Sequence, residues 1–138
     1  VDAVIETQRG HDLGRILWEG DAAKNTGIPG IIGGYGKERV IHSPATGMIN
    51  AISHISDTVT KGQAIAFIGE TKVEASIDGI LRGMIKDGYP VVKGLKIADI
   101  DPRIEEKKNC FTISDKARCI AGSVLESILY LRRFNNLS

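Results

Sequence analysis

The chain holds only two cysteines, Cys110 and Cys119, and they form neither a CxxC pair nor any other metal-ligand spacing. A disulfide framework and a zinc site are therefore not indicated, and no metal site is expected. No apolar run approaches the roughly 18–20 residues a membrane helix needs, and no charged-then-apolar leader opens the chain. Charge of one sign is also missing. With 18 Lys+Arg against 17 Asp+Glu, there is neither a basic footprint for nucleic acid nor an acidic tail. The expectation is a soluble cytoplasmic protein of one domain, or one domain with an appendage, that meets neither nucleic acid nor membrane.

What the chain does have is a repeat. Gly47-Met48-Ile49 is answered 32 residues later by Gly79-Ile80-Leu81, and Val59, Lys61, Gly62, Ile65, Ala66 and Ile68 recur as Val91, Lys93, Gly94, Ile97, Ala98 and Ile100. That makes 7 identities in 23 ungapped positions, where average residue usage gives roughly one or two, so the segment is an internal duplication. Each copy reads as strand, turn and strand, with glycine where the backbone needs positive φ. One hairpin is marginal in water, so the two copies are expected to fold against each other. The product is a mainly β, pseudo-twofold barrel or flattened sandwich. Its predicted inner face is Ile49, Ile52, Val59, Ile65 and Ile68 with Leu81, Met84, Val91, Ile97 and Ile100.

The pattern Gly-x-Ile-x-x-Ile, followed by Asp57-Thr58-Val59-x-x-Gly62-Gln63-x-Ile65-x-x-Ile68, resembles the biotinyl/lipoyl-type carrier domains, the barrel-sandwich hybrid fold. In those domains the halves are joined by a hairpin that carries the modified lysine. Lys72 lies in the corresponding joint, residues 69–78, as the candidate for covalent attachment. It stands only seven residues before Gly79, too near for a protruding hairpin, and the biotinyl Met-Lys-Met is missing. The reading preferred for Lys72 is a solvated turn lysine, and no covalent biotin or lipoyl group is expected.

The segment 1–41 differs in kind, holding 8 of the 16 glycines. Ala3–Thr7 and Ile16–Trp18 read as strands joined through Arg9-Gly10-His11-Asp12, and residues 25–36 as a long loop before a strand at Arg39-Val40-Ile41. That loop is not a P-loop: Gly30 to Gly36-Lys37 is one residue too long, and Glu38 replaces the hydroxyl. Nor is it a Rossmann turn, since no third glycine follows Gly34-Tyr35-Gly36. Glu6, Arg9, His11 and Arg15 form the richest polar cluster. Two arginines can offer bidentate donors to a phosphate or carboxylate, and a histidine beside an acid can relay a proton. With Asn25 and Thr26 they are the candidate ligand-binding residues, the competing reading being a solvated hairpin turn. His42 and His54 read as ordinary strand residues.

Asp99 and Asp101 should share a face of a strand end, where paired carboxylates can hold Mg²⁺, although the following Pro102-Arg103 favours a plain strand terminus. Residues 105–138 read as a linker and an amphipathic helix, with Ser114 as N-cap, Asp115 in the first turn, and Arg132 and Arg133 in the last. Ala117, Ile120, Ala121, Val124, Leu125, Ile128 and Leu129 make an apolar stripe that needs a surface to cover. Cys119, Glu126, Tyr130 and Arg133 fall opposite, so Cys119 is expected to be comparatively exposed. The expected divisions are a glycine-rich segment 1–41, the duplicated domain 42–104, and 105–138.

Over nearly its whole length the chain resembles the YqeB-type family of accessory proteins of the selenium-dependent molybdenum hydroxylase system. The resemblance lies in residues 4–15 (Val4 to Arg15), 25–30, Ile77-Asp78-Gly79-Ile80-Leu81-Arg82-Gly83 and Ile113-Ser114-Asp115-Lys116-Ala117. It implies the C-terminal half of proteins about twice this length whose N-terminal half is Rossmann-like. It also implies a partner that is a molybdenum hydroxylase or its cofactor, and leaves self-association open. Three functions follow: a binding or docking module of a maturation factor, part of an enzyme gripping a nucleotide- or molybdopterin-like anion through Arg9, His11 and Arg15, and a carrier modified on Lys72. Expression with biotin and lipoyl ligases present is expected to return the unmodified intact mass; an added group on Lys72 would restore the carrier.

Overall fold

The computed structural model describes residues 1–25 and 30–135. It is mainly β, a barrel-sandwich with a C-terminal helix. The strands are β1 (Val4–Ile5), β2 (Ile16–Leu17), β3 (Val40–His42), β4 (Gly47–Ala51), β5 (Thr58–Val59), β6 (Ala64–Ile68), β7 (Thr71–Glu74), β8 (Gly79–Met84), β9 (Pro90–Val91) and β10 (Lys96–Asp101). The helix α1 spans Asp115–Asn135, and short 3-10 turns occupy Lys37–Arg39 and Ile104–Asn109.

The chain divides into two compact units, Ile28–Phe111 and a second that joins Val1–Gly27 to Thr112–Ser138. The first 27 residues thus share a unit with the terminal helix, two segments that the sequence reading kept apart.

In the unit Ile28–Phe111 the duplication governs everything. One sheet has the order β3-β10-β8-β5 and the other β7-β6-β4-β9. Shifting residue numbers by the 32-residue offset carries one order into the other, strand for strand. Loop hydrogen bonds repeat as well. Gly62 N–H donates to Ala75 O as Gly94 N–H donates to Ser43 O, both 2.8 Å. Leu81 N–H donates to Asp57 O at 2.9 Å as Ile49 N–H donates to Tyr89 O at 3.1 Å. Lys61 N–H finds the Asp78 carboxylate at 2.7 Å where Lys93 N–H finds the Thr46 hydroxyl at 3.1 Å. The repeat therefore starts at β3 and β7, before the segments whose sequences match.

The short strands are exchanged: β5 of the first copy pairs with β8 of the second, and β9 of the second with β4 of the first. The core between the sheets is aliphatic, with Ile49, Val59, Ile65, Ile68, Leu81, Val91, Ile97 and Ile100 all no more than 3% exposed. Each such side chain contributes about 1.5–3 kcal/mol. Ile41, Val73, Ala75 and Ile77 complete it from the β3 and β7 sides. Met84 is only partly buried. Ile52, predicted inside, is 47% exposed. The amides of both Ile52 and Ser53 donate to Ile65 O, so the chain bulges, alternation slips by one residue, and Ser53 takes the inward place.

Close approach explains the entrance glycine. A Cβ on Gly79 would strike the Asp101 backbone carbonyl. One position lacks the glycine its geometry favours: Ser56 has φ 81°, and its equivalent in the second copy is Gly88, at φ 71°. Ser56→Gly is expected to stabilise the barrel by about 1 kcal/mol, since a left-handed non-glycine residue costs roughly that much. Urea unfolding that shows no gain would refute this.

Candidate functional site

In the second unit, β1 and β2 form a small antiparallel hairpin, Val4 opposite Leu17 and Ile5 opposite Ile16. Beyond β1, Glu6 N–H donates to Arg15 O and Gly14 N–H to Glu6 O, at 2.9 and 2.8 Å. The Glu6 side chain is buried and turned inward, accepting the amides of Gln8 at 2.7 Å and Ala23 at 2.8 Å. Those N–H groups, Ala23 first, lower its pKa against the opposing effect of burial. Glu6 ties residues 8 and 23 together.

The two arginines diverge. Arg9 makes a bidentate pair with Asp115 in the first turn of α1, at 2.9 and 2.8 Å. This raises the Arg9 pKa and holds the Asp115 carboxyl well below the usual range. Arg15 reaches back to Asp12 at 3.2 Å. The carboxylates these guanidinium groups were expected to find in a ligand are here supplied by the chain. His11 is exposed and has no hydrogen-bond or ion-pair partner among the described residues. Asn25 is exposed, and Thr26 lies outside the described residues. The structure therefore does not gather Glu6, Arg9, His11 and Arg15 about one point.

Helix α1 begins as expected, with Ala117 N–H donating to Ser114 Oγ at 3.2 Å. The face it packs is not the apolar one. Ser123 and Ser127 are its buried residues; Ser123 Oγ–H is shared between Gly14 O and Cys119 O, and Cys119 Sγ–H points to Leu13 O at 3.3 Å. Hairpin carbonyls need donors, and the serine and cysteine side provides them. Approach is tight, since a Cβ on Gly14 would stand 2.5 Å from Cys119 Sγ. Cys119 remains exposed as expected. Trp18 and Tyr130 rings pack at 4.4 Å, and Tyr130 and Phe134 at 4.5 Å.

In the barrel, Lys72 is the second residue of β7, opposite Phe67 and ion-paired with Glu74. The tight turn between the copies is Gly69-Glu70, flanked by the pair Ile68 and Thr71.

The acidic pair at the end of β10 is separated by a bulge between Asp99 and Ile100. Asp101 is fully buried and accepts from Arg82 Nη1 at 2.7 Å, and from Arg103 Nε, Nη2 and amide at 3.0, 2.8 and 3.0 Å. Burial alone would raise its pKa; the bonds from Arg103, then Arg82, overcome this and place it well below the usual carboxylate range. Asp99 faces Arg39 and Lys96, each 3.7 Å away, while Arg39, itself buried, donates to Ile100 O and Gly30 O. Asp101 is held by its two arginines, while Asp99 only faces its cations and its buried Oδ1 accepts no hydrogen bond; no group of three or more metal-binding side chains exists among the described residues.

The Arg82–Asp101–Arg103 cluster went unforeseen. Its only trace in the sequence is that the copies differ there: Arg82 and Asp101 stand where the first copy has Asn50 and Gly69. The same asymmetry exposes a surface. Ile80 is fully buried yet lies outside the barrel core, on the strand against which the 3-10 turn Ile104–Asn109 packs. Its equivalent, Met48, is 57% exposed, lying opposite Pro90 on β9, with Val92 following at 59%.

No family model matches the chain. The chain is similar to the uncharacterized protein YqeB of Escherichia coli (strain K12). The two are 47% identical over 129 residues, 94% of this chain but 24% of that protein. The chain thus spans about a quarter of the curated relative it matches, which is longer than the twofold length implied above. No described helix is long and apolar enough to cross a membrane.

For Asp101 the unfolded carboxyl titrates near pH 4 and the folded one lower. Between those values the unfolded chain binds more protons, so stability rises with pH. The contribution is complete above about pH 4 and lost as pH falls through the folded value. Asp101→Asn is expected to cost about 3 kcal/mol at neutral pH and to flatten the acid limb of a urea-unfolding series; an unchanged limb would contradict it.

Proposed function

We propose that the chain is a docking module of a cytoplasmic accessory factor that matures a selenium-dependent molybdenum hydroxylase, with the hydroxylase as its partner. The likeness to YqeB supports the kinship, and the resemblance in residues 4–15 and 77–83 supplies the system. The observation that carries a docking role is the open outer face at Met48, Pro90 and Val92. Of the equivalent pair Met48 and Ile80, the second is fully buried on the strand against which the turn Ile104–Asn109 packs, while Met48 is bare. Apolar side chains lined up across two paired strands make a surface that gains from being covered. The charged cluster of the other sheet leaves no free charge for chemistry, since Asp101 and Glu106 neutralise Arg82 and Arg103.

Met48→Glu with Val92→Glu should leave stability within about 0.5 kcal/mol, as both residues are exposed. The pair should lower selenium-dependent hydroxylase activity at least about tenfold in cells whose only copy of the protein carries it, equivalent to about 1.4 kcal/mol of binding. Unchanged activity would overturn the reading.

A further inference from the structure

We draw no further inference here: the strongest candidate, the exposed apolar face of α1 at Val124, Leu125, Ile128 and Leu129, carries nothing because nothing in the structure shows what covers it.

Discussion

Everything in the barrel depends on the exchange of its two shortest strands. β5 and β9 are each two residues long and would be worth little as part of their own hairpins. Placed at the edge of the other copy's sheet, each closes that sheet and brings one valine, Val59 or Val91, into the shared interior. Neither copy then has a core of its own, and the interior is removed from water only when both are in place. The glycines at the entrances follow from the same geometry, because the chain must pass against the end of its neighbour: at Gly79 the Asp101 backbone leaves no room for a side chain.

The symmetry is kept where burial demands it and abandoned where the surface differs. Inside, the large equivalent pairs are isoleucine, valine or leucine in both copies, as in Ile41 and Val73, Ile49 and Leu81, Val59 and Val91, Ile65 and Ile97, and Ile68 and Ile100. Outside, the second copy has Ile80, Arg82 and Asp101 where the first has Met48, Asn50 and Gly69. A buried carboxylate is costly unless charged donors surround it. Arg82 from a neighbouring strand and Arg103 from the following turn meet that condition, which fixes the exit of β10 and the path of the chain over β8.

The sequence made the barrel legible because apolar side chains in strands leave a strong period-two signal and duplication repeats it. Eight of the ten side chains predicted inside are the ones found at no more than 3% exposure. Ile52 escaped because a bulge is a backbone event, with two amides on one carbonyl, and leaves no mark on an apolar residue. β3 and β7 were not seen as equivalents because residues 40–46 and 72–78 share no identity; their likeness is one of hydrogen bonding and of one buried aliphatic pair, Ile41 and Val73. The candidate site was less legible. Charged residues close in sequence suggested a constellation at Glu6, Arg9, His11 and Arg15. Yet a hairpin end sends neighbouring side chains in different directions, and the partner of Arg9 lies 106 residues away.

The helix marks the boundary between the two kinds of information. Its existence, its Ser114 cap and its apolar stripe follow from local rules of spacing and capping, and the sequence alone determined them, along with the duplication and the aliphatic interior. Which face packs was decided only by tertiary structure. The unpaired carbonyls at Leu13 and Gly14 call for donors, Cys119 and Ser123 supply them, and hydrophobicity is left facing outward. Periodicity tells how side chains are arranged around one element; it carries no record of the hydrogen-bonding groups waiting on the surface that element meets.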